Sequence, residues 1–483
     1  GIESQVWGQT LGTDTIPQPT DDATKRVYEV KFTYNGEVKA TRYATNGQSI
    51  HGGLPTAQDL LGTGYNPHHY YAIAFADGFN ASTTVTADRQ VTVSITEKDC
   101  YEISTKADWK AFRDLVNGGQ NAVDAKMTRN IDLGSEINMV GDANNKYSGT
   151  FDGQNHTLKI NWNNTSSRLA PFHTVDGATI KNLRTEGEIN SSTNFLSGLA
   201  GNVYGTTTIS GCVSAVNITS SYDNGGCNAA GLICIVKLGA NVTIDDCVVK
   251  GNITATTDKG KEKMAGFVNG QEGTCTLNNC LYLGSGNGDT FSRTFVDDAY
   301  HGVTTTLNNC YFLNACGTAQ GTQITAEQLK NGYVAYKLQN GRNTQFWGQN
   351  LDTDNEPQLT ADAAKHVYEV KFTYNNKVAA TRYANQGGNV KLPTAKELLG
   401  ADYDAQKSYK LAFENGFSET TAINGDITVN VTVSVVTGID GVTADKADTN
   451  TPVYDLQGRY LGISLDHLPR GIYIVGGKKV IKK

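Results

Sequence analysis

Four strings align on cysteine: TTISGCVSAVNIT at Thr207–Thr219, VTIDDCVVKGNIT at Val242–Thr254, CTLNNCLYLGS at Cys275–Ser285 and TTLNNCYFLNA at Thr305–Ala315. Cys212, Cys247, Cys280 and Cys310 fall 35, 33 and 30 residues apart, and the earlier ATIKNLRTEGEIN carries Leu183 in the cysteine place. A second series lies between them: LAPFHTV at Phe172, SGLAGNV at Leu199, AAGLICIV at Leu232 and MAGFVNG at Phe267. Two strand signals recurring together describe a solenoid, in which each coil leaves an apolar face and raw strand edges until the next stacks about 4.8 Å away. The fold expected is mainly all-β, with a right-handed parallel β-helix at its centre. The four cysteines then pile up as small buried side chains inside the coil.

Outside the coils the chain repeats itself. Val6–Gly47, VWGQTLGTDTIPQPTDDATKRVYEVKFTYNGEVKATRYATNG, returns 340 residues on as Phe346–Gly387, FWGQNLDTDNEPQLTADAAKHVYEVKFTYNNKVAATRYANQG. Trp7 matches Trp347, Tyr28 matches Tyr368 and Arg42 matches Arg382; LPTAQDLLG from Leu54 then matches LPTAKELLG from Leu392. VYEVKFTY alternates with period two, as a half-buried strand does, and Asn35-Gly36 closes a hairpin. Thr56 starts a short helix with Asp59 three residues on and Gly62 as its stop. Strands at YAIAF and RQVTVSIT finish the unit.

Open ends of a solenoid must be covered. STKADWKAFRDLVNGG places Thr105 at an N-cap, puts Trp109, Phe112, Leu115 and Val116 on one face, and stops at Gly118, giving an amphipathic cap before the first coil. After the last coil, TAEQLKNGYVAYKLQNG offers Thr325 and Gln328 as a capping box, followed by Leu329, Tyr333 and Tyr336.

Composition agrees with this layout. In 483 residues there are 52 Gly, 3 Met and 18% charged side chains, a turn-rich chain and not a coiled coil. Lys+Arg of 41 against Asp+Glu of 48 gives −7, without the basic excess that binding to phosphate backbones requires, so nucleic acid is not an expected partner. No run of about 18 apolar residues would span a membrane. The start at Gly1 has neither an initiator Met nor a signal peptide, which reads as a chain cut from something longer.

On these residues several resemblances rest. The order of hairpin, short helix and returning strands resembles a β-grasp, and the two modules look like the Listeria–Bacteroides repeat of bacterial surface proteins, which serves display and spacing. AKMTRNIDLGSEINMVGDANNKYSGTFDGQNHTLKIN (Ala125–Asn161), ATIKNLRTEGEI and Gly198-Leu199-Ala200-Gly201 resemble the GLUG-type β-helix of Bacteroidetes surface proteins, adhesin-like chains and non-catalytic regions of immunoglobulin A proteases. The FWGQNLDTDNEP exit at Phe346 resembles the close of such a domain, so the same close at Val6 implies that residues 1–25 end a preceding β-helix. VYDLQGRYL, LPRGIYIV and the terminal Lys pair are similar to a type IX sorting signal, though short. The expected division is therefore 1–25 as that remnant, 26–98 as module 1, 99–345 as β-helix with helical caps, 346–365 as connector, 366–437 as module 2 and 438–483 as a β tail.

Catalytic motifs are missing. There is no CxxC, HExxH, GxSxG, P-loop or dinucleotide fingerprint. Nine cysteines is an odd number, and Cys100, Cys227, Cys234, Cys275 and Cys316 have spacings that assign no pair. Asp245-Asp246 occupy positions that are Ser210-Gly211, Asn278-Asn279 and Asn308-Asn309 in neighbouring coils, which reads as a turn ladder. Asp297-Asp298, with Arg293 and His301 close in sequence, is the competing acid site. DANNKYSGTFDG from Asp142 offers oxygens but not the EF-hand order. GTGYNPHHYYAIAF in module 1 departs from GADYDAQKSYKLAF in module 2, making Tyr65, His68 and His69 the candidate binding residues, since aromatic faces suit sugar rings and partner surfaces.

The expectation is a non-enzymatic, exported, cell-surface protein. It would act as a monomeric adhesin-like binding or spacer module for host or environmental glycan or protein, with no cofactor and no metal. The alternatives are a polysaccharide lyase or glycoside hydrolase on a β-helix, and a non-catalytic region of a larger surface protease.

Overall fold

The computed structural model describes residues 4–165, 168–270, 273–298, 305–436 and 451–482. It confirms a mainly β chain built around stacked parallel coils. Two compact units divide at Ala326/Glu327, inside the range 99–345 that the sequence groups together.

In the first unit eight parallel strands form one face of the coils, running from Tyr101–Ile103 and Ala125–Met127 through Thr179–Lys181 and Thr206–Ser210 to Thr305–Asn308. Register stacks Phe151, Ile180, Ile209, Ile244 and Leu277 in one inward column, all fully buried. A second face carries Thr157–Asn164, Arg184–Ser191 and Val213–Ser220 in matched register, with shorter strands following to Thr322–Gln323. Phe172–Asp176, Ala200–Tyr204 and Ile233–Val236 make the third.

Between the first two faces the chain turns sharply. At each corner one residue takes the left-handed conformation: Asn182, Gly211, Asp246, Asn279 and Asn309 have φ of 53, 62, 51, 52 and 55°. Gly, Asn and Asp are the types that tolerate it. Turning the peptide this way lets each corner N–H reach the next coil: Asn182 donates to Ser210 O at 2.9 Å, Gly211 to Asp245 O at 3.0 Å, Asp246 to Asn278 O at 2.9 Å and Asn279 to Asn308 O at 3.0 Å.

The second sequence series has a different cause. A Cβ on Gly198 would sit 2.4 Å from Gly231 O, one on Gly231 2.3 Å from Gly266 O and one on Gly266 2.0 Å from Thr294 O. Only glycine allows the coils to approach here, and the Leu199, Leu232 and Phe267 that follow drive into the core.

The cap at the first coil forms as the sequence predicts. Lys106–Asn117 is a helix with a Thr105/Asp108 capping box. Its Trp109, Phe112 and Val116 are fully buried, and the Trp109 ring lies 5.8 Å from Phe151 and 5.9 Å from Phe172. Helices Ala326–Lys330 and Tyr333–Gln339 follow the last coil, the latter lying in the second unit.

Each module is a four-stranded mixed sheet. In the first, Val27–Tyr34 pairs antiparallel with Glu37–Thr45 and parallel with Arg89–Lys98, which pairs antiparallel with Tyr70–Phe75. Asn35 and Gly36, at φ of 52 and 82°, make the hairpin turn. Thr56 and Asp59 form the capping box of Ala57–Leu61. The second module repeats this order with Val367–Tyr374, Lys377–Asn385, Ser408–Phe413 and Ile427–Val436. In the cores Phe32 meets Phe75 and Phe79, as Phe372 meets Phe413 and Phe417. Residues 451–482 add a four-stranded antiparallel sheet around Val453, Tyr473 and Val475.

Candidate functional site

Tyr65, His68 and His69 precede the strand Tyr70–Phe75, in a loop whose direction is fixed by a hydrogen bond from Asn66 N–H to Tyr71 Oη at 3.0 Å. The loop lies against the first coil. His68 Nδ1 is 3.0 Å from Asp124 Oδ1, Asp124 N–H donates to His68 O at 2.8 Å, and Tyr101 N–H donates to Asp124 O at 2.7 Å. Tyr70 meets the Tyr101 ring edge-on at 4.8 Å. His69 Nδ1 reaches Glu97 Oε1 at 2.6 Å, and Tyr71 Oη donates to the same oxygen at 3.2 Å. The bond to His69 is the main cause holding the Glu97 carboxyl below the usual range. Burial raises the Tyr65 and Tyr71 phenols. The stretch is thus a seam between module 1 and the coil, with both Nδ1 atoms at carboxylates; Tyr65, whose ring lies 5.5 Å from Tyr71, is half-buried.

Inside the coil the four ladder cysteines are buried, and each thiol donates to a carbonyl one coil back: Cys212 to Ile180 O at 3.7 Å, Cys247 to Ile209 O at 3.7 Å, Cys280 to Ile244 O at 3.5 Å and Cys310 to Leu277 O at 3.5 Å. Burial pushes Cys247 and Cys280 well up, and Cys275 and Cys316 up to about 12. Such thiols stay protonated and unreactive at neutral pH. All nine cysteines are free.

Outside, the eight-stranded first face of the coils carries a column that sequence reading passed over. Thr150, Thr179, Thr208, Thr243, Thr276 and Thr306 stand in register, half-exposed, one per coil. Beside it Asn278 Nδ2 donates to Asp245 Oδ1 at 2.7 Å and Asn308 Nδ2 to Asn278 Oδ1 at 2.8 Å. The signal was present, since Thr208, Thr243, Thr276 and Thr306 each stand four residues before a ladder cysteine. Glu97 and Asp124 were also missed. Comparing the modules strand by strand would have found Glu97, which takes the place of Val435.

The Asp245-Asp246 and Asp142 candidates lie in turns of the fold. Asp246 is a left-handed corner, and Asp245 accepts from the asparagine ladder. Asp142 Oδ1 accepts from Asn144 and Asn145 N–H at 2.8 Å each, a local turn. Arg293 Nε stands 3.7 Å from Asp298 Oδ1; His301 lies outside the described residues. Among the described residues no group of three or more His, Cys, Asp and Glu is placed to hold a metal, and no helix is long and apolar enough to cross a membrane.

No family model matches the chain, and no curated protein does either. Among solved structures it is similar to a crystal structure described as a candidate immunoglobulin A1 protease from Bacteroides ovatus, at 17% identity and a TM-score of 0.38, over 55% of this chain and 93% of that one.

Proposed function

We propose that this chain is a non-enzymatic, exported cell-surface protein whose coils present an adhesin-like binding face to a host or environmental glycan or protein. The observation that supports this reading is the threonine column with its neighbouring asparagine ladder: hydroxyl and amide groups of one type, repeated once per coil. A face of that kind gains little from one contact and much from several made together, so it suits a partner whose own polar groups recur along its length. The tight inter-coil bonding beneath holds the hydroxyls at fixed spacing, which lowers the entropy lost when a partner binds.

A glycan array and a screen of extracellular-matrix proteins, both run with the full chain, test this. The expected result is a polymeric ligand whose binding is lost in the Thr208→Val, Thr243→Val, Thr276→Val triple variant, since valine keeps the shape and strand preference and removes only the hydroxyls. No binding on either screen would reduce the protein to a spacer, and binding unaffected by the triple variant would move the site elsewhere.

A further inference from the structure

The four-stranded sheet of residues 451–482 carries apolar side chains on both faces, but only one face has a cover. Register sets Val453 beside Val475 and Tyr473 beside Val480 on one side, where they pack with Leu465 and Leu468. On the other side it lines up Tyr460, Tyr454, Ile474 and Lys479 in one row, with Ile472 paired to Ile481 next to it. The Tyr454 and Tyr460 rings lie 5.7 Å apart. Tyr460 is 60% exposed, and Leu456, Leu461 and Ile463 about the same edge are 51, 37 and 48% exposed. An unbroken apolar run such as Ile472–Val475 is the composition of a strand buried on both faces. Residues 437–450, which lead into the sheet, hold only Ile439 and Val442 as large apolar side chains, against three Asp, too little to cover such a face.

Charge says what the open face would meet. The whole chain carries −7, yet residues 451–483 hold six Lys and Arg against two Asp. Arg459 pairs with Asp455 at 2.7 Å, and the Lys482 amine donates to Leu465 O and Asp466 O. Arg470, Lys478 and Lys479 are exposed and have no acidic partner among the described residues. Stacking a second copy on this face would bring like charges together, whereas an anionic surface neutralises them. The acidic remainder of the chain interferes little, since exposed charges are screened beyond about 8 Å at physiological salt. Tyrosine rings with a hydroxyl at the rim, and lysine stems laid along apolar surface with the amine reaching outward, are the side chains that a bilayer interface favours.

We propose that the Tyr454–Tyr460–Ile474 face of this sheet is a docking surface for an anionic lipid bilayer. Tyr460, Leu461 and Ile463 enter the headgroup layer, while Lys478, Lys479 and Arg470 meet lipid phosphates. The attachment is peripheral, its strength set by the apolar area buried and by the attraction of the cations to anionic lipid. It does not rest on the threonine column; it supplies a means of holding the coils at a membrane.

Co-sedimentation of the full chain with vesicles of phosphatidylcholine, with and without phosphatidylglycerol, tests this. Expected is saturable binding to the phosphatidylglycerol vesicles that falls as salt is raised, and little binding to phosphatidylcholine alone. The Lys478→Gln, Lys479→Gln double variant should bind about fivefold more weakly for each charge removed. A Tyr460→Ser, Leu461→Ser variant should lose most of the binding, with the calorimetric transition of the second unit unchanged because both residues are exposed. The Thr208→Val, Thr243→Val, Thr276→Val variant should bind vesicles as the natural chain does, so failure here and failure of the threonine reading are told apart. Absence of binding to either vesicle overturns the proposal, as does equal binding to both or binding that the Tyr460→Ser, Leu461→Ser variant keeps. Self-association without vesicles that the same variant abolishes would also overturn it, by making a second copy the occupant.

Discussion

Module 1 and module 2 share a sheet, a core and a capped helix, yet they differ at two places on their surfaces. At the loop after the helix, module 1 has His68, His69 and Tyr70 where module 2 has Gln406, Lys407 and Ser408. The inner part of that loop is common to both: Tyr65 lies 5.5 Å from Tyr71 and Tyr403 lies 5.5 Å from Tyr409, with the Asn66 or Asp404 N–H on the tyrosine hydroxyl. What changed is the part that touches the coil, through Asp124 and Tyr101. At the other place the sequence hardly changed but the surroundings did, so that Trp7 stands in solvent and Trp347 in a core. A duplicated domain can therefore acquire a new contact by altering a few loop residues, while a surface whose sequence is unchanged stands exposed in one module and buried in the other among the described residues.

The largest effect expected concerns the tryptophans. Trp347→Ala removes a buried indole and should cost about 3–5 kcal/mol, the usual loss for a large aromatic in a core. Trp7→Ala should stay within about 0.5 kcal/mol, as exposed substitutions do. Calorimetry on the full chain should show the transition of the second unit falling for the first variant and no transition moving for the second. Equal effects would mean that Trp7 is covered in solution, and the contrast between the modules would disappear.

A smaller effect is expected at the seam. Tyr70→Ser copies the residue of module 2 and removes the edge-on contact with Tyr101, worth about 0.5–1.5 kcal/mol beyond the area it buries. Hydrogen exchange should quicken at Tyr101–Ile103 and along residues 65–70, while the module core around Phe32 keeps its protection. The reverse change, Ser408→Tyr, should leave the second unit as it was. If Tyr70→Ser instead destabilises the core, the residue belongs to the module fold and not to its docking.

Why one of these differences could be read from sequence and the other could not follows from the range of the forces. Thr56/Asp59 and Thr105/Asp108 bond within one helical turn, and Asn35-Gly36 sets its own turn, so local residues suffice. The coil corners are equally legible, because Asn182, Gly211, Asp246, Asn279 and Asn309 must each adopt a left-handed backbone that few residue types tolerate. Ladder periodicity likewise gives the stacking of Ile180 on Ile209 and Ile244. His69 and Glu97, by contrast, lie 28 residues apart and meet only once two strands have paired. Near-identical strings surround Trp7 and Trp347, and nothing within them says which one a helix will cover. The half-exposed threonines sit on the face that hydrophobic patterning does not weigh, which is why the candidate binding column was legible in hindsight only.

The last and smallest contrast is in acid response. Glu97 accepts from His69 at 2.6 Å, and this holds its carboxyl below the ordinary value of about 4.3 that it regains when unfolded. A carboxylate depressed in the folded state adds stability that is present above the unfolded value and is lost as pH falls through the folded one. The seam should therefore loosen below about pH 4.3, the reference value for glutamate. Val435 in the second module has nothing to titrate at this place. Because Glu97 is exposed, solvent screens the pair and the effect should be small. Hydrogen-exchange protection of residues 65–75, compared at matched pH between the natural chain and Glu97→Val, should differ at neutral pH and converge in acid, whereas residues 403–413 should respond identically in both proteins. Protection that is already the same at neutral pH would show that Tyr70 and Asp124 hold the seam without the His69–Glu97 pair, and that the acquired contact rests on packing and on the His68 side alone.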